Sequence, residues 1–383
     1  MAGQKEFLGL NVFDQAIDRL VKEYKDGHRI VVSFSGGKDS TVCLELCIIA
    51  ATMTNRLPVD VVMRDEEIMH PGTYEYCERI YNRKNEVNLV WLIANQPIVN
   101  AFNREQPYFW VFDPALKPEQ WVRQPPSFAT YIKEKNITQM NSPERFPAPE
   151  GKRLYSALGM RVQESRGRFY GVRSMKGYIS KPHPPFGVRN LWPIFDFTDN
   201  DIWKAIKDNK WDYNQAYNVM NQLGIPKNRL RIAPPTMSPA SAEGMWALQA
   251  AFPKWFDKVC ERLEGVRAVA KYGKKAVSPI RNLGETWEQC YQRTCIDEAP
   301  QWIRDRAIEV KKRNLQTHSR HSAMPLPDVT PCYVCKGSTG SWKKLCEAMY
   351  LGDPFSMKMI DMPYVEPELF RKGSGYWDGK PSF

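Results

Sequence analysis

Six consecutive residues, Ser35-Gly36-Gly37-Lys38-Asp39-Ser40, carry the densest chemistry in the chain. Two glycines let backbone N–H groups approach an anion closely. Lys38 adds a mobile cation, and the Ser35 and Ser40 hydroxyls add donors. Asp39 is a hard oxygen ligand suited to a magnesium ion on phosphate oxygens. Ser33 and Phe34 end the apolar run before this loop, and Thr41 to Met53 after it reads as a helix. The positive end of that helix would face the loop. The combination predicts a site for a phosphate or pyrophosphate group. The spacing is neither G-x-x-x-x-G-K-[ST] nor G-x-G-x-x-G, so an ordinary P-loop and a dinucleotide fold are both disfavoured.

The cysteines form a second constellation. Cys332 and Cys335 stand in C-x-x-C spacing, followed by Cys346, with Cys295 or Cys290 available as a fourth thiolate. Such a set suits zinc or an iron–sulfur cluster, and the pair alone could instead be redox-active or structural. Cys43, Cys47 and Cys77 lie on apolar helix faces and read as core. His318 and His321, three apart in a basic helical run, read as a solvated face.

The elements that must position these groups follow from periodicity. Residues 8–25 carry a helical stripe, and Arg29 to Phe34 is a buried strand rich in β-branched residues. Pro58 to Met63 and Leu89 to Ala94 read as further strands, with a helix opening at Pro71 between them. Alternating strands and helices predict an α/β fold, a parallel twisted sheet flanked by helices. From Gln96 to Gly151 aromatics and prolines dominate, as expected of a functional or lid-like insertion. Arg153 to Gly159 returns to the core, Arg168 to Val172 reads as a strand, and so does Leu191 to Phe195. Thr198 is placed as the N-cap of the next helix. The expected division is a nucleotide-binding domain over 1–233 with an insertion at about 97–150, a mostly helical domain over 234–361, and a Gly/Pro/aromatic tail over 362–383.

Composition narrows the function classes. The chain has 383 residues, 43% hydrophobic and 25% charged, which are ordinary globular values that disfavour long disorder. The longest apolar run, around Thr41 to Met53, contains Glu45 and is too short to span a bilayer. The first residues lack the layout of a secretory signal. Nine cysteines, an odd number, argue against a disulfide framework, so a reducing, cytoplasmic setting is expected. The net charge of +11 invites a nucleic-acid reading. Residues 151–190 alone, however, hold nine basic side chains and one acid, Glu164. A small polyanion bound there explains much of the excess, so nucleic acid is allowed but not required. Lys176, Lys181 and Arg189 are divided evenly between solvated surface and a phosphate role.

The SGGKDS loop after VVSF resembles the PP-loop of the adenine nucleotide α-hydrolase-like superfamily, in the branch that includes phosphoadenylyl-sulfate reductases and ATP sulfurylase small subunits. Asp65 with Pro71-Gly-Thr73 downstream is similar to that branch's D-T-G…P-E-T element, with Glu66-Glu67 in place of Thr-Gly. Gly159-Met160-Arg161-Val-Gln-Glu164-Ser165-Arg-Gly-Arg168 is similar to its G-[IL]-R-x-x-[ES]-S-x-x-R segment. Trp192-Pro193-Ile194 with Thr198, Asp201, Ile202 and Trp203 is similar to a P-[IL]-x-x-W-[ST]-x-x-D-[IV]-W segment, with Phe197 where Trp is usual. The stretch Pro107-Tyr108-Phe-Trp110…Trp121-Val-Arg123…Pro126 resembles a narrower group, the reductase-like proteins of the immunoglobulin-binding regulator A type, found in bacteria and their phages.

The resemblance implies a nucleotide site built from Ser33, Phe34, Ser35, Gly36, Gly37, Lys38, Asp39, Ser40, Asp65, Met160, Arg161, Glu164, Ser165 and Arg168. Arg161 and Arg168 would clamp phosphate or sulfate, Glu164 would orient them or hold magnesium, and Ser165 would donate to phosphate. Lys38, Asp39, Arg161 and Arg168 are the candidate catalytic residues. ATP or another adenylyl nucleotide, with Mg2+, is the expected cofactor, and Cys295, Cys332, Cys335 and Cys346 are the candidate zinc or iron–sulfur ligands. The family's reductases attack the sulfonyl group with a cysteine in an E-C-G-L-H-type segment, which this sequence lacks. The leading expectation is therefore cleavage of the α–β phosphate bond, with adenylation and pyrophosphate release. Second stands a non-catalytic regulator with a ParB-like protein partner, and third a phosphoadenylyl-sulfate reductase. The oligomeric state is left open.

Overall fold

The structure is a computed structural model that describes residues 9–132, 141–226, 230–232, 234–335, 340–354 and 365–371. The chain divides into two compact units, Met1–Gln96 with Val111–Pro234, and Pro97–Trp110 with Pro235–Phe383.

In the first unit, helix α1 (Val12–Lys25) leads into β1 (Arg29–Phe34), and α2 (Lys38–Met53) follows the glycine loop. β2 (Val59–Arg64), α3 (Pro71–Tyr81) and β3 (Val87–Ala94) continue the alternation. Two short strands, β4 (Pro97–Val99) and β5 (Tyr108–Trp110), belong to the other unit. β6 (Thr130–Ile132), β7 (Leu154–Ala157) and β8 (Arg189–Leu191) complete one six-stranded sheet in the order β6-β3-β2-β1-β7-β8, all pairs parallel. Ile30, Val31 and Val32 of β1 are buried because the central strand is covered on both faces. α2 is buried nearly all round, with Cys43 and Cys47 fully enclosed, as is Cys77 on α3. Connections run to β2 on one side of β1 and to β7 on the other. That reversal makes the crevice at the carboxyl ends of β1 and β7 the place where ligands collect in open α/β sheets.

Two sequence expectations need correction here. Residues 168–172 are not a strand but lie in α4 (Arg166–Met175). The Ser165 hydroxyl accepts the Arg168 N–H as an N-cap, and Val172 alone is buried, which suits a surface helix. The run 191–195 stays in the sheet only to Leu191, since Pro193 has no N–H to offer a ladder. Thr198 does cap α5 (Asp199–Asp208), in a reciprocal box with Asp201. α6 (Ala216–Gln222) follows.

Residues 112 and 122 of the insertion after β3 are tied down. Glu67 is fully buried at φ 61°, a left-handed conformation, at the position where the resembled motif has glycine. Its carboxylate accepts N–H bonds from Phe112 at 2.7 Å and Val122 at 3.1 Å. Two charge-assisted bonds offset the backbone strain.

The second unit pairs β4 with β5 and is otherwise helical: α7 (Met245–Ala251), α8 (Pro253–Arg262), α9 (Val266–Tyr272), α10 (Trp287–Tyr291), α11 (Gln301–Ser319) and α12 (Trp342–Met349). Residues 97–110, expected within the nucleotide domain, fold here instead. Val99, Tyr108 and Trp110 pack with Trp302, Ile303 and Phe370. Most of the tail predicted over 362–383 lies outside the described residues. Among the described residues no helix is long and apolar enough to cross a membrane.

Candidate functional site

The glycine loop sits where β1 meets α2, and its shape is set by its neighbours. Gly36 has φ +71°, and a Cβ there would come within 2.9 Å of Cys77 Sγ and of the Thr73 methyl. The fully buried Asn214 side chain donates to the Gly36 carbonyl at 3.1 Å and to Thr73 Oγ1 at 2.7 Å. The Ser40 and Thr41 hydroxyls both donate to the Gly37 carbonyl, at 2.9 and 3.0 Å. Ser35 Oγ lies 3.1 Å from Ser40 Oγ, and Ser33 Oγ 2.8 Å from Ser156 Oγ. The Lys38 N–H donates to the Tyr217 hydroxyl at 3.0 Å. Trp203 meets the Tyr217 ring edge-on at 5.5 Å, so the tryptophan of the D-I-W segment positions a contact to the loop. Burial pushes the Tyr217 phenol well above its ordinary value, keeping it neutral.

The loop after β7 closes over the start of α2. A Cβ on Gly159 would lie 2.5–2.7 Å from backbone atoms of Asp39 and Ser40, so only glycine permits this approach. That contact delivers Arg161 to Asp39, with Nε 2.5 Å from Oδ1. Lys38 Nζ lies 2.9 Å from Asp39 Oδ2 and 3.0 Å from Asp199 Oδ1, and Arg161 reaches the same Asp199 oxygen at 3.2 Å. Lys38 is 5% exposed and Arg161 4%, so both cations are largely withdrawn from solvent and held by shared carboxylates. Gln163 Oε1 accepts from Arg161 and from the Asp199 N–H. Glu164 accepts from the Arg161 N–H at 3.5 Å and lies against Arg168. Burial and the nearby Arg231 pull the Arg168 guanidinium below its ordinary value.

These groups line a cleft of about 770 Å³ at the carboxyl end of the sheet. The volume falls within the range of small-ligand sites. Ser33, Phe34, Ser35, Gly37, Lys38, Asp39, Ser40, Met160, Arg161, Glu164 and Arg168 line it, as do Arg64, Asp199 and Arg231. Five of the lining residues are cations and three are carboxylates, which suits a polyanion.

Three predicted residues stand elsewhere. Gly36 shapes the loop from behind. Asp65 is 1% exposed and held by Trp91 Nε1 at 2.9 Å, by Arg123, and by the Glu67 N–H at 3.0 Å. It anchors the insertion and does not line the cleft. Ser165 is occupied as the cap of α4. Conversely, Asp199, Tyr217, Asn214 and Arg231 went unread in the sequence. Asp199 had the one usable signal, its place directly after the Thr198 cap.

The four cysteines proposed as one ligand set do not converge. Cys346 Sγ is 3.9 Å from Cys290 Sγ, and the Cys295 thiol points at the Cys346 carbonyl at 3.9 Å. All three are buried with Tyr291, Trp342 and Leu345 because α10 and the turn after it pack on α12. Burial pushes the Cys290 thiol up, as expected of core cysteine. Cys332 and Cys335 lie instead beside His318, on the connection between α11 and α12. His318, expected on a solvated face, is 4% exposed.

Parallel sheet, switch-point cleft and two-glycine loop define a PP-loop nucleotide-binding α/β unit. The pattern of the phosphoadenosine phosphosulfate reductase domain family matches residues 29–220, and the chain belongs to that family. It is 25% identical over 282 residues to the "Uncharacterized protein YbdN" of Escherichia coli strain K12, covering 69% of this chain and 68% of the relative. Among solved structures, Candida glabrata FMN adenylyltransferase aligns at 14% identity with a TM-score of 0.36, over 54% of this chain. The alignment spans 57% of that enzyme's length. Phosphoadenylyl-sulfate reductase from Candida auris, in a phosphate complex, aligns at 11% identity and TM-score 0.30, over 58% of this chain and 95% of that one. The U34-tRNA thiolase NcsA of Methanococcus maripaludis, with its [4Fe-4S] cluster, aligns at 13% and 0.29, over 68% and 80%.

Proposed function

We propose that the first unit binds ATP or a related adenylyl nucleotide and cleaves it between the α- and β-phosphates. The observation that carries this reading is the meeting of Lys38 and Arg161 over Asp39 and Asp199, at the N-terminus of α2 beside the glycine loop. An acceptor oxygen or sulfur forms a bond to the α-phosphorus, the bond to the bridging oxygen breaks, and pyrophosphate leaves with the electron pair. Lys38, Arg161 and Arg168 are placed to stabilise the charge that gathers on the leaving group. Asp39 and Asp199 hold the first two cations in position beforehand, so little reorganisation accompanies the reaction.

A magnesium ion fits part of this donor set. Both Asp39 oxygens are engaged by cations, whereas Asp199 uses only Oδ1 in its bonds to Lys38 and Arg161. Asp199 and phosphate oxygens would hold the ion, which would supply further charge neutralisation. The test is incubation with α-labelled ATP and magnesium, with and without candidate acceptors. AMP or an adenylylated product, with pyrophosphate in equal amount, is expected. Neither product under any condition overturns the reading.

Sulfonyl reduction is less well supported, since the described residues lining the cleft include no cysteine. A second reading, a nucleotide-binding subunit of the immunoglobulin-binding regulator A type acting with a ParB-like partner, draws support from the insertion. Glu67 and Asp65 fix residues 112, 122 and 123 in place, which holds this part of the insertion in one conformation. Copurification of a stoichiometric partner, with no turnover of ATP, would favour it.

A further inference from the structure

The second unit holds a buried imidazole with an unused nitrogen. His318 ends α11, and its Nε2 lies 2.7 Å from the Met324 carbonyl oxygen. A carbonyl can only accept, so Nε2 carries the proton and Nδ1 carries the lone pair. Nδ1 is buried and has no hydrogen-bond partner among the described residues. A buried polar atom without a partner is costly and calls for an explanation. The explanation lies next to it: Cys332 Sγ, Cys335 Sγ and a ring nitrogen of His318 are all within 4.8 Å of one another.

The chain around the two thiols is folded as a knuckle. The Cys335 N–H donates to Cys332 Sγ at 3.5 Å, and the Cys332 N–H donates to the Gly340 carbonyl at 2.6 Å. The N–H groups of His321 and Ser322 turn back onto the His318 carbonyl at 3.0 and 2.9 Å. Tyr333 and Val334 at the tip are 91% and 58% exposed, so these two side chains do not pin the turn.

We propose that His318 Nδ1, Cys332 Sγ and Cys335 Sγ bind one zinc ion, which pins the knuckle to the end of α11. Zn–S bonds of about 2.3 Å and a Zn–N bond of about 2.0 Å need the donors only slightly closer than they stand. Two thiolates and an imidazole are a borderline donor set, and tetrahedral zinc suits it. The Met324 carbonyl is the outer partner that metal-bound histidines ordinarily use to fix their tautomer. An iron–sulfur cluster is disfavoured, because it draws on four thiolates and the remaining nearby cysteines are packed in the separate Cys290–Cys295–Cys346 group. The fourth position of the ion falls to solvent.

The full chain, stripped of metal under reducing conditions, is titrated with zinc chloride and separately with cobalt chloride. One equivalent per chain is expected, and the cobalt form should show a thiolate charge-transfer band with the visible bands of a tetrahedral ion. His318→Gln and the double variant Cys332→Ser/Cys335→Ser should each weaken uptake at least tenfold, while Cys346→Ser leaves it unchanged. A measurement on the unaltered chain guards against variants that fail to fold: zinc should slow alkylation of Cys332 and Cys335 at least tenfold, read by mass spectrometry. Substoichiometric uptake, a cobalt spectrum without the thiolate band, full uptake by the double variant, equal alkylation rates or an iron–sulfur chromophore would each overturn the assignment.

Discussion

In the first unit the charged groups at the cleft are shared out in pairs; in the second, His318 Nδ1 is buried with no hydrogen-bond partner among the described residues. Lys38, Arg161, Asp39 and Asp199 neutralise one another at 2.5–3.2 Å, and Asp65 and Glu67 are saturated by Arg123, Trp91 and backbone N–H groups. Such a region is complete without its ligand and is preorganised for one. His318 Nδ1 has no hydrogen-bond partner among the described residues, and the two thiols beside it are the ground on which the zinc proposal rests. A saturated polar cluster points to a ligand that arrives and leaves. An orphaned nitrogen beside thiolates points to one that stays.

The sharpest way to break the first half of this comparison is Glu67→Ala. It leaves the Phe112 and Val122 N–H groups buried without acceptors, at about 1–3 kcal/mol each. A loss of roughly 2–5 kcal/mol in urea unfolding is expected. A loss under 1 kcal/mol would mean that Glu67 does not hold the insertion.

His70 tests the cost of burying an ionisable ring in the first unit. Burial lowers it to about 4 from an ordinary 6.5. The unfolded chain therefore takes up the proton first as pH falls, and stability declines between pH 6.5 and about 4, by roughly 3 kcal/mol. His70→Gln should flatten that part of the stability–pH curve, and an unchanged slope would refute the assignment.

Lys38→Ala probes the cleft itself. Charge-assisted bonds contribute about 1.5–3 kcal/mol, so ATP affinity should fall roughly 10- to 100-fold by calorimetry. The circular dichroism spectrum should stay native. Equal affinity would remove Lys38 from the site.

The smallest effect is expected of Ser165→Ala. Losing the cap of α4 should cost about 1 kcal/mol in thermal unfolding. ATP affinity should be nearly unchanged, because the hydroxyl is spent on the Arg168 N–H and does not line the cleft. A large drop in affinity would restore Ser165 as a phosphate donor.

Much of the first unit was legible because its signals are local. The β-branched run before the glycine loop, Pro71 at a helix start and the Thr198 cap each act within a few residues. Arg168 to Val172 misled because its aromatic and β-branched content suits a strand, while the Ser165 cap and the exposed positions decide for a helix. Asp65 was placed at the nucleotide by resemblance. The structure spends it on Arg123 and Trp91, partners 58 and 26 residues away that no local pattern announces.

The sequence by itself determined the parallel α/β class and the places of the glycine loop and the arginine segment, because backbone freedom, helix ends and charge are properties of neighbouring residues. It also established that thiols were available for a metal. Only the tertiary structure decided which groups meet. Gly159 brings Arg161 onto Asp39 from the neighbouring strand, Asp199 enters from the start of α5, and packing divides the cysteines between an apolar core and a knuckle facing His318. Those choices rest on contacts between segments far apart in the chain, where a side chain's partner is set by the fold and not by its neighbours in sequence.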